Sequence, residues 1–225
     1  MSYQSGGIKG TVCYNDQGAF MPPFLLSVVA ISLSGVMMPG PMFAVTVAKS
    51  YKSQFAGIQI ALGHAVIEVP LILLIYFGFA RFFQSEPVQL GLSLAGGAML
   101  IWLGIGMFRA KAKVIDKGKD LSYNSVTAGV ITSLFNPFFL LWWATIGSML
   151  IMNSLSFGIM GFALLIPVHW LCDLLWLSFV SIMVYRTQSL WGRKFQEGLF
   201  TACSLLLIGF GVWFLILGLL LLKTL

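Results

Sequence analysis

The chain has 225 residues, of which only 9% are charged and 59% are hydrophobic, and its net charge is +6. A soluble domain carries about 25% charged residues and could not cover this much apolar surface. The composition therefore excludes an ordinary soluble enzyme, a disordered chain and a nucleic-acid-binding domain, and it predicts an integral membrane protein.

The N-terminal segment 1–21 is polar and glycine-containing, and it lacks the apolar stretch of a cleavable signal peptide. We expect it to form a disordered tail outside the cell. Because a long apolar run begins at Met21, translation from Met21 rather than Met1 is a second hypothesis.

Six apolar runs follow, each long enough for a membrane helix, which takes roughly 20 residues. Ten of the 13 basic residues fall near the 1–2, 3–4 and 5–6 loops. An excess of Lys and Arg marks the cytoplasmic side, so both termini are predicted to lie outside the cytoplasmic membrane. The runs cover about 22–48, 57–80, 88–108, 126–152, 156–185 and 198–222.

Proline motifs interrupt the first and fourth runs. Pro39, Gly40 and Pro41 lie in the first, and Asn136 and Pro137 lie in the fourth. Proline breaks a helix but suits the first position of a new one, so each motif predicts a half-helix that begins within the membrane. Free N–H groups at such ends attract anions, which makes these residues candidates for binding a substrate carboxylate. The alternative is that the prolines only kink packed helices.

Two acidic residues lie inside the runs, and each follows a histidine by four positions. The pairs are His64 with Glu68 and His169 with Asp173, and they contain the only two histidines of the chain. Residues four apart share a helix face, and ionisable groups within a membrane usually mark function. We expect all four to couple transport to protons, with the acids also binding a substrate ammonium group. They could instead be ligands of a divalent metal or a hydrogen-bonded cluster that only holds helices together.

The same pairs reveal an internal repeat. A shift of 105 residues places His64 on His169 and Glu68 on Asp173. The fold is therefore predicted to be all-α, with six transmembrane helices as two inverted three-helix repeats and with broken helices 1 and 4. The repeats cover 22–108 and 126–225, and a basic cytoplasmic linker, 109–125, joins them. Inverted repeats around a midplane site are typical of secondary transporters.

Several other features predict packing rather than chemistry. The glycines of the third and sixth runs are interpreted as helix contacts, which also allow a homodimer. Four tryptophans inside the runs are likewise interpreted as packing residues: Trp102, Trp142, Trp143 and Trp170.

No phosphate-binding loop and no paired-cysteine motif occurs, so we expect no cofactor, no nucleic-acid partner and no enzymatic activity.

Three stretches carry a family resemblance: MMPGPMFAVTVAKSYKSQFAGIQIALGHA (37–65), GGAMLIWLGIGMFRAK (96–111) and GVITSLFNPFFLLWWATIG (129–147). The chain resembles the LysE-type family of small membrane exporters, which includes the homoserine and threonine resistance translocators. The resemblance implies six helices, export of amino acids or related small metabolites, and coupling to the proton gradient. Many members have an acidic residue beside the second pattern glycine, where this chain has His64. The pattern positions that carry over are Pro39, Gly40, Pro41, Gly57, Gly63, Asn136 and Pro137.

Together these features predict a secondary transporter that exports a small amino-acid-like metabolite by alternating access, without ATP hydrolysis. A divalent metal-ion transporter and a non-transporting structural or partner subunit remain as alternatives.

Overall fold

The computed structural model describes residues 21–117 and 121–222, and nearly all of these residues are helical, with no strand among them. The expected tail, apart from Met21, and the question of the start codon lie outside the described residues. So do positions 118–120 of the predicted linker. Eight helices are described: α1 Met21–Val36, α2 Pro41–Ser50, α3 Ala56–Gln84, α4 Glu86–Lys117, α5 Ser125–Leu134, α6 Pro137–Leu155, α7 Gly158–Thr187 and α8 Arg193–Leu222.

Five of these helices are long and apolar enough to cross a membrane, namely α3, α4, α6, α7 and α8. Helices α1 and α2 together make a sixth candidate span, bent by 74° at the break between them. The chain is therefore an all-α membrane protein, as its sequence predicts. Within the described residues, each half has the same order of elements: a broken pair of helices followed by two long helices.

Both proline motifs coincide with helix breaks. Helix α1 ends at Val36 and α2 begins at Pro41, after Gly40 in an extended conformation. Helix α5 ends at Leu134 and α6 begins at Pro137, after Asn136 in an extended conformation. Because proline at the first helical position loses no hydrogen bond, it fixes where the second half-helix starts.

The helix of the third predicted span, α4, is longer than predicted. Helix α4 runs to Lys117, so the first nine residues of the predicted linker 109–125 are helical rather than a loop. The segment contains Ala, Lys and Arg, which are good helix formers, and it has no Gly or Pro before Gly118. In the same segment, Lys111 lies over the Phe108 ring and donates to Thr201 Oγ1 of α8.

Glycines let α3 pack closely on the other half of the chain. A Cβ atom on Gly63 would lie 2.1 Å from the Val126 carbonyl oxygen of α5, and one on Gly129 would lie 2.1 Å from the Ile60 carbonyl oxygen. Gly57 meets α7 in the same way, at Leu177. The backbones are therefore in direct contact, which only small residues permit.

Only some of the glycines of α4 and α8 make the helix contacts that the sequence predicts. A Cβ on Gly97 or on Gly211 would lie 2.7 Å from the carbonyl oxygen of the other, so these two residues are part of the close α4–α8 contact. A Cβ on Gly91, Gly106 or Gly209 would meet no atom within 4 Å, so these three glycines make no close helix contact within the described chain.

The two halves interlock rather than lie side by side. Helices α1 and α2 of the first half pack on α7 of the second, and α3 packs on both α5 and α7. As a result, the helices that carry the two His–acid pairs are neighbours. The broken helices of each half also lie beside the helix that carries the His–acid pair of the other half.

Candidate functional site

The two His–acid pairs meet at the centre of the bundle. His64 and Glu68 lie on α3, His169 and Asp173 lie on α7, and each is at most 5% exposed. The Nε2 atom of His169 is 3.1 Å from Glu68 Oε1, so a hydrogen bond links the two helices. The four residues form one cluster, which we call the tetrad.

Glu68 is the centre of the hydrogen bonding in the tetrad. Its Oε1 atom lies 3.0 Å from His64 Nε2 and 3.1 Å from His169 Nε2. The indole N–H of Trp143 also donates to Oε1, at 3.2 Å. Asp173 is held more loosely, with its carboxylate oxygens 3.8 Å from His64 Nε2 and 3.6 Å from His169 Nε2.

Two serines hold the far sides of the histidine rings. Ser133 Oγ of α5 is 2.7 Å from His64 Nδ1, and Ser32 Oγ of α1 is 2.6 Å from His169 Nδ1. Each serine lies just before a helix break, and each contacts the histidine of the opposite half. This crossed arrangement fixes both rings with their Nε2 atoms toward the carboxylates.

Sequence reasoning missed Ser32, Ser133 and Trp143. Trp143 was expected only to pack, but a buried indole N–H usually finds a hydrogen-bond acceptor. The serines stand 101 residues apart, close to the repeat offset, which is the feature that could have identified them. Trp170 also donates its indole N–H, to the Ala61 carbonyl, whereas Trp102 is exposed.

A cavity of about 110 Å³ adjoins the tetrad. An engineered cavity of roughly 150 Å³ can bind benzene, so the space suits a small solute. Of the predicted break residues, Gly40, Pro41 and Asn136 line it, whereas Pro39 and Pro137 do not and instead shape the breaks. The cavity wall also includes all four tetrad residues and six aromatic side chains: Phe43, Phe138, Phe139, Trp142, Trp143 and Phe210.

The cavity has polar atoms to offer a ligand. Among the described residues, Glu68 Oε2, Asp173 Oδ2 and Asn136 Oδ1 are buried without a hydrogen-bond partner. Buried polar atoms normally have partners, so orphaned ones beside a cavity favour a bound solute or water there. No lysine or arginine is among the residues that line the cavity, so its charged groups favour a cationic or zwitterionic ligand.

Comparison with known proteins identifies a matching family and related proteins. The model of the LysE type translocator family matches residues 33–218. The chain is 26% identical over 195 residues to the Bacillus subtilis (strain 168) protein named "Putative amino acid efflux protein YcgF", covering 84% of this chain and 93% of the relative. It is also 26% identical over 202 residues to the "Uncharacterized membrane protein PA4757" of Pseudomonas aeruginosa PAO1, covering 84% and 91%.

No solved structure matches the chain significantly. The family match spans most of the chain and includes the tetrad and both helix breaks. The chain belongs to the LysE type translocator family.

Proposed function

We propose that the protein exports amino acids or related small zwitterionic or cationic metabolites across the cytoplasmic membrane, by alternating access and in exchange for protons. The observation that carries this proposal is the meeting of two buried His–acid pairs beside two helix breaks and a cavity. The family, and the amino acid efflux named for the Bacillus relative, support the substrate class.

The two ends of a zwitterion would contact different parts of the cavity. At the start of α2, Gly40 and Pro41 line the cavity, and the first N–H groups of a helix favour a carboxylate. At the tetrad, the partnerless oxygens of Glu68 and Asp173 offer acceptors for an ammonium group. Asn136, at the start of α6, adds an amide beside the same space.

Proton coupling is proposed at the tetrad because its members are the ionisable residues that line the cavity. A carboxylate that binds either a proton or an ammonium group cannot hold both, and such competition is the basis of exchange. Asp173 lies 3.6–3.8 Å from the histidine Nε2 atoms and would make this exchange, whereas Glu68 Oε1 lies within hydrogen-bond distance of three nitrogen atoms. His64 and His169 would tune both acids.

A ligand screen tests the substrate class. Purified protein would be heated with single proteinogenic amino acids, with homoserine and with dicarboxylates. We expect a rise in Tm for at least one zwitterionic or cationic amino acid and none for dicarboxylates, because no lysine or arginine lines the cavity. Stabilisation by dicarboxylates alone would contradict the proposed site.

Substituting Trp143 by Phe should lower transport without unfolding the protein. The variant keeps an aromatic ring but loses the N–H that donates to Glu68 Oε1. A hydrogen bond to a charged group contributes about 1.5–3 kcal/mol, so we expect a decrease in initial flux of roughly tenfold or more. Trp213→Phe is the matched control because Trp213 is 52% exposed on α8. Equal flux in both variants would exclude a role for the indole donor.

The proposed orientation predicts the side from which single cysteines react. In a background with the native cysteines replaced, Lys52→Cys should react with a membrane-impermeant maleimide only in inside-out vesicles. Arg81→Cys should react in intact cells, because it lies at the opposite end of α3. Both positions are exposed. Reversed labelling would place the termini in the cytoplasm.

A further inference from the structure

The tetrad has a further property that amino acid transport does not require: three of its side chains lie close enough together to be candidate ligands of one metal ion. Candidate ligand atoms of His64, Glu68 and Asp173 all lie within 4.8 Å of one another. Two atoms that each lie about 2.1 Å from one ion can be at most about 4.2 Å apart. The four His–carboxylate distances of the tetrad, 3.0, 3.8, 3.1 and 3.6 Å, all meet this limit.

The hydrogen bonds of Ser133 determine which nitrogen of His64 carries a proton. Ser133 Oγ donates its hydrogen to the Gly129 carbonyl oxygen at 2.6 Å. It must therefore accept from His64 at the 2.7 Å contact, so Nδ1 carries the N–H. In a neutral ring, the Nε2 lone pair then faces the carboxylate oxygen of Glu68 at 3.0 Å. Two electron-rich atoms this close require a positive charge between them, from either a proton or a metal ion.

The surroundings of the histidines also suit a metal ion. In metal sites, the ligating histidine usually donates its other ring N–H to an oxygen, which orients the ligating nitrogen. Ser133 provides that oxygen for His64, and Ser32 is placed to do so for His169. The partnerless oxygens of Glu68 and Asp173 supply further acceptor positions on the same cavity.

We propose that His64, Glu68 and Asp173 bind one divalent first-row transition-metal ion in the central cavity, with His169 as an additional ligand. Imidazole and carboxylate ligands suit ions such as Zn²⁺ and Co²⁺. The ion would occupy the position proposed for a substrate ammonium group, so the two would compete. The inference shares its residues with the proposed function, but its binding test does not depend on transport.

The test uses full-length protein in detergent, stripped of metal and titrated with Zn²⁺ by calorimetry. We expect one ion per chain, with affinity at least tenfold weaker in His64→Gln and Asp173→Asn. Ser133→Ala should weaken binding while leaving all ligands in place. Glu197→Gln is the matched control, since Glu197 pairs with Arg193 on the exposed face of α8. Equal affinity in the wild type and the folded ligand variants would overturn the proposal.

A Co²⁺ spectrum provides a test that does not depend on the variants folding. Nitrogen and oxygen ligation predicts visible d–d bands without the near-ultraviolet thiolate band that a cysteine ligand would add. A thiolate band, or no spectral change at all, would overturn the assignment to the tetrad.

Flux measurements then separate the two ways in which a bound ion could act. Zn²⁺ entry into liposomes that contain a metal indicator would identify the ion as cargo, whereas Zn²⁺ that only slows amino acid flux would identify it as an inhibitor. Both results support the site. Zn²⁺ binding without any amino acid flux would contradict the proposed function alone. Amino acid flux that depends on the tetrad, without Zn²⁺ binding, would contradict this inference alone.

Discussion

Replacing Glu68 by glutamine should abolish transport while leaving a folded protein. Glu68 Oε1 lies within hydrogen-bond distance of both histidine Nε2 atoms and accepts from Trp143, and its side chain is 1% exposed. Glutamine has nearly the same shape but no charge. The nitrogen atoms around position 68 therefore stay in place, while both imidazoles lose their negatively charged partner. Hydrogen bonds to a charged group contribute about 1.5–3 kcal/mol each, so weakening those of Glu68 should lower the initial flux in proteoliposomes by at least about a hundredfold.

Glu197→Gln makes the same chemical change at the surface and should transport like the wild type. Glu197 and its partner Arg193 are well exposed, and exposed pairs contribute little. Size-exclusion profiles and circular dichroism should match for both variants and the wild type. Full flux in a folded Glu68→Gln variant would remove the tetrad from the transport mechanism and favour the structural interpretation of these residues.

Replacing Gly129 by alanine should cause a large loss of stability for so small a substitution. The new Cβ would lie 2.1 Å from the Ile60 carbonyl oxygen and 3.0 Å from the His64 backbone nitrogen. Neither backbone atom can move unless α3 and α5 separate. Overpacking costs about 1–3 kcal/mol or more, so we expect Tm to fall by about 5–10 °C.

The same substitution should also impair transport, because α3 carries His64 and α5 carries Ser133. Separating the helices lengthens the 2.7 Å contact between these side chains. Gly106→Ala is the matched control: it lies within α4 and has no neighbour within 4 Å of its added methyl group. Alanine favours helix more than glycine does, so its Tm should stay equal or rise. A Tm change that is the same in both variants would contradict the close α3–α5 contact.

The fold was predictable because the membrane imposes simple rules on sequence. Apolar length identified the spans, and the prolines at 41 and 137 identified both half-helix starts, since proline is tolerated at a first helical position. The end of α4 was placed too early because the first charged residues after the apolar run were taken as the end of the helix. Charged residues end a membrane span, but Ala, Lys and Arg continue a helix into water.

The candidate site was only partly predictable. Ionisable residues in apolar runs identified His64, Glu68, His169 and Asp173, because buried charge is costly and therefore rare. Their meeting could not be derived, since it depends on α3 packing against α7 of the other half. Serine and tryptophan are common in membrane helices, so Ser32, Ser133 and Trp143 became distinctive only through their contacts.

The central claim is that the tetrad couples the movement of an amino-acid-like substrate to protons. The most direct measurement is internal pH in proteoliposomes when an amino acid that stabilises the purified protein is added outside. The wild type should move protons opposite to the substrate, and the Glu68→Gln/Asp173→Asn double variant should move neither. Substrate flux in the wild type without a pH change, or equal proton movement in the double variant, would contradict the account.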